Sequence, residues 1–119
     1  MKVPFVNLGL QFQNLHDEII NKFEELSSKG SYILNDEVQE FEQNFSEYCG
    51  TRYAVGVGNG SDALSFSLLA LGIGKGDEVI TIPNSFIASV SVIVHLGAKP
   101  VFVDVLSDQT MNPDLLEKV

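Results

Sequence analysis

Residues 55–64 read VGVGNGSDAL, with a glycine at every second position from Gly56 to Gly60. The valine-rich run before the last glycines suits a strand, and the residues from Ser61 to Leu71 suit a helix. A strand that ends in glycines and leads directly into a helix brings free backbone N–H groups and the positive end of the helix dipole to one point. This junction suits an anion, above all phosphate, but the local sequence equally allows a purely structural turn.

The spacing of the glycines limits which phosphate ligand is plausible. The run Gly56-x-Gly58-x-Gly60 lacks the Gly-Lys-Ser/Thr ending of a P-loop, and it differs from the G-x-G-x-x-G of a dinucleotide site. Gly58 and Gly60 would allow the backbone to come close to an anion, and the Ser61 hydroxyl would add a donor.

Hydrophobic periodicity predicts the elements on either side of this junction. Before it, apolar residues at helical spacing predict one helix that ends near Gly30 and a second that runs from the cap Asn35 to Gly50. After it, short apolar runs alternate with helical patterns, which indicates an α/β domain with a mostly parallel sheet covered by helices. The predicted strands are 53–57, 78–82 and 101–105, and the predicted helices are 61–71, 85–96 and 113–119, the last capped by Asn112. We therefore expect an N-terminal helical segment at 1–50 and an α/β domain at 51–119.

Composition excludes several classes of partner. The net charge of −9 argues against nucleic acids and anionic membranes, because phosphate contacts require clustered Lys and Arg. The longest apolar runs are too short to span a membrane, and no apolar run follows Met1-Lys2-Val3-Pro4 as it would in a signal peptide. We therefore expect a cytoplasmic protein.

Cysteine and histidine point to no reactive or metal site. Cys49 is the one cysteine, so no disulfide framework is possible, and without a neighbouring His cluster it is expected to be a packed core thiol. His16 and His95 are nearly eighty positions apart in separate helical patterns, so we predict no metal site.

A second candidate stretch is Ile82-Pro83-Asn84-Ser85-Phe86, again between a strand and a helix. Ligands of parallel sheets bind at the carboxyl ends of the strands. An aromatic ring at Phe86 could therefore cover the face of a flat cofactor, although such a ring is more often part of a core.

Taken together, six stretches in order resemble the amino-terminal part of the DegT/StrS-type sugar-nucleotide aminotransferases, which are pyridoxal-phosphate enzymes of fold type I. The resemblance runs the whole length of the chain, and one stretch departs from the family pattern with Asn35-Asp36 in place of Gly-Pro. The stretches are 3–8, 31–38, 53–64, 76–80, 85–89 and 97–104.

The resemblance implies a fold and a cofactor site. Residues 51–119 would be an incomplete part of the large domain that binds pyridoxal 5'-phosphate, truncated at its C-terminus. Gly60, Ser61 and Asp62 match the loop whose amides, with the Ser61 hydroxyl, hold the cofactor phosphate. Phe86 matches the aromatic residue that stacks on the pyridine ring, and Tyr32 is a weaker candidate near the sugar substrate.

The resemblance also implies what the chain lacks. The family's Schiff-base lysine and the carboxylate that pairs with the pyridine nitrogen fall beyond position 119, so we predict no catalytic residue within the chain. Asn112-Pro113-Asp114 is a helix-start signal, but the helix that follows it has barely two turns, so we expect the sequence to be truncated. In the implied fold, moreover, the 53–57 strand lies on the opposite side of the sheet from the other two. Asp104, which recurs in the family, is expected to be structural.

The function implied by the resemblance is the N-terminal portion of an enzyme that transfers an amino group, usually from glutamate, to a nucleotide-linked keto-sugar for amino-sugar and polysaccharide biosynthesis. The family builds its active sites across a homodimer. Two alternatives stay open, namely a catalytically inactive truncated remnant and a small phosphate-binding α/β module. The sequence does not distinguish an aminotransferase from a dehydratase variant of the family.

Overall fold

The computed structural model describes residues 3–119 and divides them into two compact units, one through Gly56 and one from Val57. Met1 and Lys2, on which part of the signal-peptide prediction depends, lie outside the described residues. Each unit is described by itself. The predicted division at residue 50, between a helical segment and a cofactor-binding domain, stays a prediction.

The first unit contains two helices, α1 at Leu8–Lys29 and α2 at Asp36–Cys49. Asn35 caps α2 with its side-chain oxygen, which accepts from the Val38 amide at 3.2 Å. Gly30 and Gly50 end the two helices in the left-handed conformation, both at φ 65°, which glycine adopts without strain. Both predicted helices are therefore confirmed, with the predicted cap on α2 and the predicted glycine at the end of each.

The apolar stripes of these helices are largely open in the described structure. The α1 residues Phe12, Leu15, Ile19 and Phe23 are 42% to 64% exposed. The predicted burial of Cys49 is wrong, because the thiol occupies the last residue of α2, where the chain turns at Gly50, and it is exposed.

The second unit is built on a parallel βαβ arrangement. Its elements are α3 at Gly60–Ala70, β1 at Glu78–Thr81, α4 at Ala88–His95, β2 at Lys99–Phe102 and a 3-10 helix at Pro113–Lys118. β1 and β2 pair in parallel, from Glu78 opposite Lys99 to Thr81 opposite Phe102. α4 contacts both strands and packs against α3. The predicted α/β class with parallel strands is confirmed.

Besides α4, which begins at Ala88 rather than at residue 85, three predicted elements differ from the observed ones. Residues 53–57 form no strand, because a strand needs a hydrogen-bonded neighbour, and within residues 3–119 the sheet contains β1 and β2 alone. The third predicted strand is shifted, since pairing already begins where Lys99 N donates to Asp77 O at 2.9 Å. The last helix has 3-10 geometry, but Asn112 caps it as predicted by accepting from the Asp114 amide at 3.0 Å.

The core of the second unit is small and centred on α4. Ile93 is 2% exposed and Val92 is 4% exposed, and Leu68, Ile73 and Val79 pack against them. The face of α4 that carries Val92 and Ile93 therefore joins α3 to the two-stranded sheet. Within residues 3–119, no helix is both long and apolar enough to cross a bilayer. The described His, Cys, Asp and Glu residues also form no group of three that could hold a metal ion.

Candidate functional site

Asn59 organises the glycine junction. Its side-chain oxygen accepts from the Asp62 amide at 3.0 Å, and its Nδ2 donates to Asp62 Oδ2 at 2.9 Å. Its carbonyl oxygen accepts from the Ala63 amide at 3.1 Å, so Asn59 is the N-cap of α3. Sequence reasoning missed this residue, although an Asn three positions before an Asp at a helix start is a recognisable capping signal.

The amides of Gly60 and Ser61 remain open at the start of α3. Neither N–H group meets an acceptor among the residues that the structure describes, and Ser61 is half-buried. A Cβ added at Gly60 would have no atom within 4 Å, so the space beside this backbone is free. Of the three predicted loop residues, Gly60 and Ser61 thus offer free donors, whereas the Asp62 amide is already bound to Asn59.

Gly56 and Gly58 differ from Gly60, because atoms of other side chains lie where their Cβ atoms would be. A Cβ at Gly58 would lie only 2.7 Å from Asp62 Oδ2, and real Cβ atoms essentially never come that close to another heavy atom. In the first unit, Gly56 N donates to Glu42 Oε1 at 2.6 Å, and a Cβ at Gly56 would lie 3.3 Å from the same oxygen. Side chains that hold the backbone therefore occupy the space beside Gly56 and Gly58, whereas the space beside Gly60 is open.

α3 packs against α4, and α4 in turn contacts both strands. The C-terminal ends of the two helices are close, because a Cβ at Gly74, just after α3, would lie 3.8 Å from Leu96 O at the end of α4. The eleven residues of α3 span about 16 Å and the four residues of β1 about 13 Å. Because α4 runs from the carboxyl end of β1 back to the amino end of β2 and packs against α3, we infer that the amino end of α3 lies towards the carboxyl end of β1. This is the edge where parallel sheets bind ligands.

Phe86 follows β1 at this edge, and its ring is 75% exposed. Its carbonyl oxygen accepts from Ser89 N at 3.0 Å and from Ser89 Oγ at 2.7 Å. The described core does not use this ring, and the helix predicted from residue 85 begins only at Ala88 because the preceding residues form the loop.

The remaining candidates are Tyr32 and Asp104, each described within its own unit. Tyr32 belongs to the first unit, between α1 and α2, where its ring is 68% exposed and its hydroxyl donates to Ser27 O at 3.5 Å. Asp104 follows β2, where its Oδ1 accepts from Val105 N at 2.8 Å and its carbonyl oxygen accepts from Asn112 N at 3.1 Å. These bonds hold the backbone at the end of the strand, in line with the structural role expected for Asp104.

Comparison with known proteins assigns this arrangement to a family. The family described as the DegT/DnrJ/EryC1/StrS aminotransferase family matches residues 13–119. The chain is 41% identical over 118 residues to dTDP-3-amino-3,4,6-trideoxy-alpha-D-glucose transaminase from Streptomyces venezuelae, with 98% of this chain and 31% of that protein covered.

Two solved structures of similar proteins match the fold. DesV from S. venezuelae, in complex with a ketimine intermediate, superposes with a TM-score of 0.94 at 41% identity and covers 98% of this chain and 32% of its own. NtdA from Bacillus subtilis with bound cofactor PMP has a TM-score of 0.90 at 32% identity, over 98% of this chain and 27% of its own. The chain thus spans about a third of the length of the curated relatives that it matches.

Proposed function

Since this chain belongs to the DegT/DnrJ/EryC1/StrS aminotransferase family, we propose that it is the N-terminal portion of a pyridoxal-phosphate-dependent aminotransferase acting on nucleotide-linked keto-sugars. Glutamate is the proposed amino donor, and the product is an amino sugar. The observation that carries the proposal is the open amino end of α3, where the Gly60 and Ser61 amides are free. The exposure of Phe86, which follows the carboxyl end of β1, supports it as well.

The residues at this edge fit the two chemically distinct parts of pyridoxal phosphate. The phosphate is an anion that requires N–H and O–H donors, and the Gly60 amide, the Ser61 amide and the Ser61 hydroxyl supply them at the positive end of a helix dipole. The pyridine is a flat aromatic ring, and Phe86 presents an exposed ring that no core contact requires. The Asp62 carboxylate can only accept hydrogen bonds, so its role is to brace the loop through Asn59.

When bound, the cofactor supplies the electron sink for amino transfer. The residues of this chain bind and orient it: the loop at Gly60 and Ser61 fixes the phosphate, and Phe86 covers one face of the ring against water. We assign no catalytic lysine within residues 1–119. Three of the described lysines form ion pairs with carboxylates: Lys22 and Lys29 with Glu25, and Lys99 with Glu78.

Tyr32 is proposed to lie near the sugar-binding site, and a homodimer is the proposed assembly. The exposed apolar stripe of α1 supports the proposed dimer, because an apolar helix face of this kind is normally covered by another protein surface. A cytoplasmic location is proposed as well.

The test uses the full-length protein encoded by the extended reading frame. We expect it to bind pyridoxal phosphate and to transfer the amino group of glutamate to a dTDP- or UDP-linked keto-sugar. Ser61→Ala should weaken cofactor binding roughly ten- to hundredfold, the value of one hydrogen bond to a charged group. Ser65→Ala is the matched control, since Ser65 is also half-buried and lies one turn further along α3. A full-length protein that binds no cofactor would contradict the proposal and favour an inactive remnant.

A further inference from the structure

A side-chain hydrogen bond ties the loop that carries Phe86 to a second loop. Asn84 Nδ2 donates to Gln109 Oε1 at 2.6 Å, although the two residues are 25 positions apart. Asn84 lies in the segment 82–87, here termed the Phe86 loop, which follows β1. Gln109 lies in the segment 105–111, here termed the Gln109 turn, which follows β2. Because β1 and β2 are parallel neighbours, this bond spans the carboxyl edge of the sheet.

The Gln109 turn is well braced and can serve as an anchor. Leu106 N donates to Thr110 O at 2.8 Å, Gln109 N donates to Leu106 O at 2.9 Å, and Val105 and Met111 form an antiparallel bridge. Such paired backbone groups hold a short turn in one conformation.

The backbone of Gln109 is in the left-handed region, at φ 70°. Glycine is the usual residue there because it has no Cβ to approach the following carbonyl oxygen, and asparagine is tolerated because its short side chain can hydrogen-bond locally. Other residues are disfavoured in this region. Glutamine at this position keeps a side chain that reaches the Phe86 loop. Residues held in disfavoured backbone regions concentrate at functional sites.

The Phe86 loop is also held on its other side, since the Phe86 carbonyl oxygen accepts from both the amide and the hydroxyl of Ser89. The ring itself is 75% exposed, so packing among the described residues does not fix its direction. The place from which the side chain extends, its Cα–Cβ bond, therefore depends on how firmly the backbone of the loop is tied at both ends.

We propose that Asn84 and Gln109 are positioning residues that hold the Phe86 loop in place, so that Phe86 is presented at one position to the pyridine ring of the cofactor. This inference rests on the proposed function, and it extends the site to the turn after β2. Neither side chain touches the cofactor in this role, because both act through the backbone of the loop.

The test is a double-mutant cycle in the full-length protein. In Asn84→Asp the Gln109 amide can still donate, and in Gln109→Glu the Asn84 amide can still donate, so each single variant retains a hydrogen bond. The double variant places two acceptor carboxylates against each other and retains none. Cofactor affinity should fall less than about threefold in each single variant and about three- to tenfold in the double variant, because the bond joins two exposed side chains.

Two further readouts separate positioning from folding. In the cofactor-free protein, amide hydrogen exchange of residue 82 and of residues 84–88 should be faster in the double variant. In the cofactor-bound protein, the visible circular dichroism of the cofactor should decrease in the double variant. Gln109→Gly relieves the left-handed strain while it removes the side chain, so it should fold and still lose about two- to tenfold in affinity. Thr110→Val, which breaks the bond of 2.7 Å from Thr110 Oγ1 to Asp108 Oδ1 in the same turn, is the matched control.

The outcomes also distinguish this inference from the proposed function. Normal cofactor affinity in Phe86→Ala would contradict the role of Phe86 and overturn its positioning by Asn84 and Gln109 as well. Weakened binding in Phe86→Ala, together with unchanged exchange and additive affinities in the cycle, would overturn the positioning role alone.

Discussion

Replacing Gly60 with Ala should separate cofactor binding from stability. A Cβ at Gly60 meets no atom within 4 Å, and no left-handed backbone excludes a side chain there. Gly60 is the first residue of α3, where Ala is a better helix former than Gly by up to about 1 kcal/mol. The cofactor-free protein should therefore be as stable as the wild type or slightly more stable.

Cofactor binding should respond in the opposite direction. Side chains of a helix tilt towards its N-terminus, so the new methyl group would lean into the space where the phosphate approaches the Gly60 and Ser61 amides. If the phosphate is displaced from one of these donors, the loss is about 1.5–3 kcal/mol, which is roughly ten- to hundredfold in dissociation constant. Displacement from both donors would cost more.

The assay is a titration of full-length protein with pyridoxal phosphate, combined with thermal unfolding of the cofactor-free form. Gly9→Ala in α1 is the matched control, since its Cβ would make only an ordinary contact of 3.6 Å with Asn7 Oδ1. Gly58→Ala should instead lower the stability of the cofactor-free form. Its Cβ would lie 2.7 Å from Asp62 Oδ2, so this oxygen would have to move and its bond with Asn59 Nδ2 would weaken. Wild-type affinity in Gly60→Ala would refute the assignment of this loop to the phosphate.

Three further predictions concern other parts of the chain. Phe86→Ala should weaken cofactor binding while the melting temperature of the cofactor-free form changes little, because the exposed ring contributes little packing; a large loss of stability with normal binding would return Phe86 to a core role. The Lys29 ammonium, together with Lys22, lowers the pKa of the Glu25 carboxyl below its ordinary 4.5, so this ion pair stabilises α1 above that pH and the contribution is lost as the pH falls through the lowered pKa. Far-UV circular dichroism of an α1 peptide should show this loss of helix on acidification, and Glu25→Gln should abolish that part of the titration. Finally, residues 1–119 expressed alone should self-associate and melt without a sharp transition, because many large apolar side chains are exposed and the buried core is small; a monomer with one cooperative transition in light scattering and calorimetry would contradict this.

The sequence predicted those parts of the fold that depend on neighbouring residues. The Asn35 cap, the glycines that end α1 and α2, and the Asn112 cap act within a few positions along the chain, and all were found where predicted. The parallel arrangement of β1 and β2 also followed from the alternation of short apolar runs with a helical pattern.

The parts that depend on distant partners could not be predicted in the same way. Residues 53–57 have strand composition but no described neighbour to pair with, so their pattern alone did not produce a strand. The exposure of Cys49 depends on what covers the end of α2, which its own helical pattern does not contain. The bond between Asn84 and Gln109 joins loops that only the pairing of β1 with β2 brings together.

The two halves of the candidate site, the phosphate loop and the Phe86 loop, also differ in whether they depend on neighbouring or on distant residues. The phosphate loop depends on neighbouring residues alone, because its cap Asn59, its donors at Gly60 and Ser61 and the Asp62 side chain that bonds to Asn59 are consecutive. The presentation of Phe86 is non-local, because the loop that carries it is tied by Ser89 on one side and by Gln109 across the sheet edge on the other. Variants of the local half should therefore act mainly through the phosphate and leave the Phe86 loop unchanged. Variants of the non-local half should alter the environment of the ring, and their effects should depend on each other because Asn84 and Gln109 share one bond.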